Sequence, residues 1–415
     1  MADEPRTVAR TASPSNGLRF GLLCGATLFQ FVTMGIYLSA LPLFVTGELG
    51  GSRSAVGLTV GAFSLSAVLL RPTVGREIDK RGRRLFLAAA PLILIVTSAG
   101  FGLARAVPVA VALRLAQGVA GACFYTAAAT VATDLAPEGR RAEYLARFSL
   151  FLYGGLAIGP ALGEAIVSSR GFGWTWAAAG TSAVVCLVVA LALPETRSAE
   201  AAAARLEAVA PRGFARFLHP AAVGPGVVII TAAVGYTSIT AFSPLYARRM
   251  GMATSGPLYA TFALSVLVVR LVSGRLADRY GRVEVALPGM VLAVAGLTLM
   301  ALQVSPALAF VGVAGFGVGF SLVFPALMAL TVDRVPETER GAAVGSFTAF
   351  FDIGSSTGGY AVGAVADRWG FGGGYGLPAG MCAVGAVVLA RLGRKVRAEA
   401  DAVAGEAALP EPSGT

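Results

Sequence analysis

Phe63-Ser-Leu-Ser-Ala-Val-Leu-Leu-Arg71-Pro-Thr-Val-Gly75-Arg-Glu-Ile-Asp79-Lys-Arg-Gly82-Arg83 returns 199 residues later as Phe262-Ala-Leu-Ser-Val-Leu-Val-Val-Arg270-Leu-Val-Ser-Gly274-Arg-Leu-Ala-Asp278-Arg-Tyr-Gly281-Arg282. The same offset, without a gap, carries Asp134, Pro137, Glu138, Arg141, Phe151, Gly155 and Gly159 onto Asp333, Pro336, Glu337, Arg340, Phe350, Gly354 and Gly358. Apolar stretches align by chance, but charged positions do not hold one offset over such a distance. The chain is therefore a duplication, with one copy in each half.

What is duplicated follows from composition. Of 415 residues, 56% are hydrophobic and 13% charged, with a mean hydropathy of +0.73. A soluble domain carries about 25% charged residues, so a water-exposed surface of this size could not be covered. Soluble enzyme, coiled coil and disordered chain are excluded on that ground, and a polytopic membrane protein remains. His219 is the sole histidine, which leaves no HExxH zinc site and no Ser-His-Asp triad in the apolar part. Lys80 and Lys395 are followed by Arg81 and Val396, so neither is the lysine of a phosphate-binding P-loop. Gly315-Phe-Gly317-Val-Gly319 follows no strand and reads as helix packing. Cys24, Cys123, Cys186 and Cys382 all fall in apolar stretches and form no CxxC pair. No cofactor or metal is expected.

Phe20 to Gly47 carries no charge and spans about 42 Å as a helix. It is too long for a signal peptide core and reads as a first membrane helix. The pattern recurs near 18–46, 54–74, 85–104, 107–134, 146–168, 174–193, 221–246, 257–274, 285–303, 306–332, 343–365 and 376–392. The predicted fold is all-α and integral to the membrane: twelve transmembrane helices in two six-helix bundles related by a parallel internal repeat. The predicted boundaries are a tail at 1–17, a first bundle at 18–193, a surface linker at 194–220, a second bundle at 221–396 and a tail at 397–415. With both termini cytoplasmic, the outer loops hold only Arg53, Arg105, Arg170, Arg248, Arg249 and Arg368 of the 33 bases, as the positive-inside rule requires. Trp174, Trp176 and Trp369 then fall at the outer interface. The net charge of +10 becomes a topology signal, and no nucleic-acid partner is expected.

The loop Gly75-x-x-x-Asp79-Lys80-x-Gly82-Arg83, repeated as Gly274-x-x-x-Asp278-Arg279-x-Gly281-Arg282, resembles the signature of the major facilitator superfamily. Two further motifs resemble its drug:proton antiporter branch. Arg114-x-x-Gln117-Gly118 is similar to that branch's span-four arginine motif, and Gly155-x-x-x-Gly159-Pro160-x-x-Gly163 to its span-five antiporter motif. The chain departs from the pattern at Glu164, where the family usually has Gly, and at Val283. The resemblance implies alternating access of two bundles around a central site, with Arg114 implicated in proton coupling. Independently of any family, Gly155, Gly159 and Gly163 lie on one helix face and permit close contact, while Pro160 removes a backbone hydrogen bond. Both a gate between the halves and simple packing fit that pattern.

Charges inside spans are costly, about 2.5–3.5 kcal/mol each at the bilayer centre on insertion scales, so they face a cavity or a partner. Away from span ends, three stand out: Arg114, Glu164 and Asp352. Arg114 and Glu164 lie about 10 Å and 6 Å from the outer ends of their spans, counted by helical rise, which permits a pair. Asp352 has Tyr153 at its repeat position, an asymmetry that suggests function added to a symmetric scaffold. Burial disfavours a charged carboxylate and a nearby arginine restores it, so Asp352 and Glu164 are proton-coupling candidates, with Arg114 tuning or competing. A structural salt bridge is the rival for each. Asp134, with Arg83 and Asp79, is a candidate inner latch, helix capping being the alternative. Gln30, Thr33, Tyr37, Gln117, Tyr125, Tyr236, Thr237 and Thr240 are candidates for lining a cavity.

These expectations describe a proton-driven exporter of small amphipathic molecules in the inner membrane of a bacterium. Its partners would be the lipid bilayer, protons and a small-molecule substrate, and it would act as a monomer with no cofactor beyond the proton gradient. An exporter or importer of a specific polar metabolite, with Arg114 holding an anionic group, is the alternative. A non-transporting receptor on the same fold is a third.

Overall fold

The computed structural model describes residues 14–137, 140–196, 219–336 and 339–407. Most of the expected linker and parts of both tails lie outside them. Six helices form the first half: α1 (Pro14–Thr46), α2 (Arg53–Arg81), α3 (Arg83–Leu103), α4 (Val107–Asp134), α5 (Arg141–Arg170) and α6 (Phe172–Leu191). The second half begins with α7 (Pro220–Arg249), α8 (Gly256–Tyr280), α9 (Arg282–Leu302) and α10 (Pro306–Val332). The helical run Arg340–Ala407 breaks at Gly370, where φ is 67°, giving α11 (340–369) and α12 (371–407). Ten stretches of the described residues are long and apolar enough to cross a membrane; one, Ala342–Arg394, spans that break, and α8 adds the shorter run Gly256–Arg270. Each crossing reverses direction, so α1 begins and α12 ends on one side, here called the terminal face.

The helices outrun the apolar spans. α2 and α8 continue to Arg81 and Tyr280, well beyond the predicted ends at 74 and 274. Hydropathy stops at the first charges, whereas backbone hydrogen bonding continues through them. Arg71 and Arg270 are consequently interior residues of their helices.

A single glycine separates α2 from α3. Gly82 adopts φ 94° and ψ 165°, a conformation essentially reserved for glycine, and Gly281 repeats it at φ 100° and ψ 151° between α8 and α9. The Glu195 carboxylate lies where a Gly82 side chain would begin. It accepts hydrogen bonds from the backbone N–H groups of Arg83 at 3.0 Å and Arg84 at 3.1 Å, capping the positive end of α3. The side chains of Asp79 and Asp278 lie outside the described residues. Buried Arg83 pairs with Asp134 at 3.3 Å, and Arg282 with Asp333 at 3.1 Å. Both pairs tie neighbouring helices within one half (α3 to α4, α9 to α10), so neither bridges the halves in this conformation.

The span-five glycines also act within a half. A side chain at Gly159 would meet the Gly35 Cα at 2.7 Å, one at Gly155 the Leu28 carbonyl at 2.7 Å, and one at Gly163 the Ile36 carbonyl at 2.9 Å. Pro160, beside Gly159 on the same helix, packs on Gly35 as well. This face of α5 interlocks with α1, as Gly354 and Gly358 of α11 interlock with Ile230, Ala233 and Val234 of α7. The glycine face is therefore intrabundle packing; the cavity-facing side of α5 is the one carrying Tyr153. Trp176 stands apart from the other two tryptophans. It is 3% exposed and packs among Tyr37, Phe44, Phe101 and Phe172, whereas Trp174 and Trp369 are exposed.

A candidate transport cavity between the halves

The halves meet tightly on the face opposite the termini. Asp367, near the end of α11, accepts hydrogen bonds from the Arg53 and Ser54 backbone N–H groups at 2.9 Å each and from the Ser54 hydroxyl. Glu164 of α5 does the same for α8: its Oε2 accepts from the Ser255 N–H and hydroxyl at 2.6 Å each, and from the Gly256 N–H at 3.1 Å. In each case a carboxylate from one half caps the positive N-terminus of a helix from the other. Tyr259 of α8 adds a third tie, its one hydroxyl proton shared between the Thr240 carbonyl of its own half at 2.7 Å and the Leu38 carbonyl of α1 at 3.0 Å. Between these ties Gly57 lies against the Gly359 carbonyl, and Gly61 against that of Ser356. The Arg114–Glu164 pair that their similar depths permit does not form, because Glu164 is committed across the interface.

Behind this seal lies a cavity of about 290 Å³ lined from both halves. Two polar contacts cross it. Arg71 of α2 pairs with buried Asp352 of α11 at 3.0 Å. Arg270 of α8 donates to the Tyr153 hydroxyl of α5 at 2.8 Å and stacks over its ring at 5.1 Å. These are the same contact twice, since 71 and 270, and 153 and 352, are repeat positions. Arg114 also lines the cavity. It donates to Gln117 Oε1 at 2.8 Å, and Gln117 donates onward to Thr97 at 3.1 Å, while the guanidinium sits 4.8 Å over the Phe63 ring. Tyr236, Phe320, Phe324 and Phe351 build an aromatic wall with ring centroids 5.5–6.0 Å apart.

Of the residues expected to line a cavity, Gln30, Tyr125, Tyr236, Thr237 and Thr240 do so. Thr33, Tyr37 and Gln117 turn into the first bundle instead: the Thr33 hydroxyl is shared between the Phe29 and Ala179 carbonyls, Tyr37 bonds Ser98, and Gln117 bridges Arg114 and Thr97. Sequence reasoning missed Arg71, Arg270 and Tyr153 as site residues, and Asp367 as a seal. The repeat carried the signal for the arginines, which stand at matched positions inside two apolar spans. Among the described residues no group of three or more His, Cys, Asp or Glu is set to hold a metal ion.

A duplicated helical bundle with a polar cavity at its pseudo-twofold interface is the architecture of a membrane transporter. The chain belongs to the Major Facilitator Superfamily, whose profile matches residues 23–260 and again 253–413. It is 27% identical over 343 residues to an uncharacterized MFS-type transporter of Salmonella typhimurium, covering 80% of this chain and 85% of that one. It is 26% identical over 361 residues to the uncharacterized MFS-type transporter YhhS of Escherichia coli, covering 84% and 86%. Three solved structures share the fold. A bacterial homolog of the human lysosomal transporter Spinster, inward-facing and occupied, aligns with a TM-score of 0.74 at 14% identity over 92% of this chain and 98% of that one. The nucleoside transporter NupG gives 0.70 at 15% over 90% and 98%, and the human organic anion transporter MFSD10 0.68 at 17% over 91% and 100%. The chain is a multi-pass membrane transporter and not an enzyme.

Proposed function

We propose that this transporter is a proton-coupled antiporter that exports small amphipathic molecules across the cytoplasmic membrane of a bacterium, with both termini inside. The Arg71–Asp352 pair carries the reading, because it joins the two halves inside the cavity they share. With the terminal face cytoplasmic, the sealed face is external and this conformation faces inward. Opening outward separates α2 from α11 and breaks the pair. Asp352, parted from its counter-charge, then takes a proton from outside. Return to the inward form brings Arg71 back and displaces the proton to the cytoplasm. Arg114, held by Gln117 and Phe63, adds a fixed positive field to the same cavity. Glu164 serves the seal in this scheme, which leaves Asp352 as the coupling carboxylate.

One proton entering down about 100 mV supplies about 2.3 kcal/mol, and one pH unit adds about 1.36 kcal/mol. Together they sustain a substrate gradient of a few hundredfold without ATP. Proteoliposomes with an imposed pH gradient test the reading. Substrate accumulation that collapses with a protonophore supports it, and transport indifferent to the gradient rejects it.

A further inference from the structure

The cavity lining is electrically lopsided. Among the described residues that line it, Arg71, Arg114 and Arg270 are cationic and Asp352 alone is anionic. Asp352 answers Arg71. At the matching position opposite Arg270 the duplication has Tyr153, a neutral phenol that accepts a hydrogen bond and leaves the charge standing. No described carboxylate forms an ion pair with Arg270 or Arg114. Uncompensated arginines are disfavoured at membrane depth and mark binding paths when they persist. Two more lining residues carry a buried polar atom with no hydrogen-bond partner among the described residues: the Gln30 side-chain nitrogen and the Ser355 hydroxyl. The Tyr236–Phe320–Phe351 wall supplies an apolar bed.

We propose that the substrate is an amphipathic organic anion, whose carboxylate, sulfonate or similar group pairs with Arg270 as Asp352 pairs with Arg71, while its apolar body lies on the aromatic wall. The substrate thereby completes the repeat: it brings the second carboxylate-like group that the duplicated scaffold lacks. Arg270 supplies a bidentate fork suited to such groups, and Tyr153 holds that fork in the cavity. The inference rests on the export reading for its direction but not for its charge preference.

The test uses full-length protein in nanodiscs and equilibrium dialysis against empty nanodiscs. Its probes are naphthalene-2-carboxylate, the neutral 2-naphthamide and the cationic 2-naphthylmethylammonium, which share one apolar body. The anion is expected to bind best. Arg270→Gln is expected to weaken its binding on the order of ten- to a hundredfold, the range for a lost charged hydrogen bond, and to erase the preference over the amide. Arg270→Lys should retain part of that preference. Tyr153→Glu, which gives Arg270 an internal carboxylate, should exclude the anion. Preference for the cation, equal binding of the three, absence of anion binding, or an Arg270→Gln variant that binds the anion as wild type overturns the proposal. Anion binding without proton-driven export supports it and rejects the export reading. Proton-driven export of the cation without anion binding does the reverse.

Discussion

Arg71 and Asp352 form an ion pair 3.0 Å long between two halves of a duplicated chain, and the equivalent positions 270 and 153 form the same contact with a neutral acceptor. The asymmetry separates two roles that a symmetric scaffold would merge. One crossing has a titratable group, and the other has a cation with no counter-charge.

The first prediction follows from the titratable crossing. Asp352→Asn removes the proton carrier while keeping size and hydrogen bonding. Downhill exchange of substrate should persist in proteoliposomes, and accumulation driven by a pH gradient should vanish. Coupled accumulation in the Asn variant would reject Asp352 as the carrier.

Arg71→Gln tests the same pair from the other side. Breaking a buried ion pair by removing one partner costs about 3–5 kcal/mol when the remaining charge is trapped. Asp352 avoids that penalty by staying protonated, so the variant should bind substrate yet release no proton on returning inward. Substrate-induced proton release, read with a pH dye on purified protein, should drop below detection. The double variant Arg71→Gln with Asp352→Asn should be more stable to heat than Arg71→Gln alone.

The two carboxylate caps on the sealed face predict a shift in conformation. Glu164→Gln retains an acceptor but discards the charge that three donors of α8 surround, a loss on the order of 1–3 kcal/mol. Every 1.4 kcal/mol is about tenfold in population. The sealed face should open about ten times more often, and Asp367→Asn should act the same way through α2. Thr237, buried in the cavity, offers a reporter position: Thr237→Cys in a background lacking Cys24, Cys123, Cys186 and Cys382. Its labelling by an impermeant maleimide from that face should accelerate in both variants.

The duplication and the helical class were legible because they depend on repetition and hydropathy, which one chain contains in full. What crosses between the halves was not. Glu164 sits in an apolar span with Arg114 at similar depth, and nothing in one sequence says that the Ser255 end of α8 lies nearer. Glu195, which caps α3, was equally hidden, since it stands more than a hundred residues from Arg83. Arg71 and Arg270 were visible as matched letters, yet hydropathy assigned them to span ends because it could not see the helices continue.

Gly82→Ala should weaken the α2–α3 turn. The backbone at φ 94° disfavours any side chain by about 1–3 kcal/mol, and the new methyl meets the Glu195 carboxylate. A melting temperature several degrees lower is expected. Gly75→Ala is the control: a side chain there meets nothing within 4 Å, and alanine is favoured over glycine in a helix by about 1 kcal/mol. It should melt at the wild-type temperature or above.

Gly57→Val and Gly159→Val separate gating from packing. Both glycines allow two helices to touch, but Gly57 faces Gly359 across the halves, whereas Gly159 faces Gly35 within one. A side chain at 57 runs into a backbone carbonyl of α11 that has no rotamer to escape through. That collision exists only while the face opposite the termini is sealed, so it penalises one conformation and spares the fold. Gly57→Val should therefore melt near the wild-type temperature, lose transport, and label rapidly at a Thr237→Cys reporter from that face. Gly159→Val collides in every conformation, because α1 and α5 move together. It should lower the melting temperature and leave the reporter's labelling rate unchanged in the protein that folds. If Gly57→Val transports at the wild-type rate, the α2–α11 contact is not part of the cycle; if Gly159→Val alters labelling without altering stability, the α5 glycines are a gate after all.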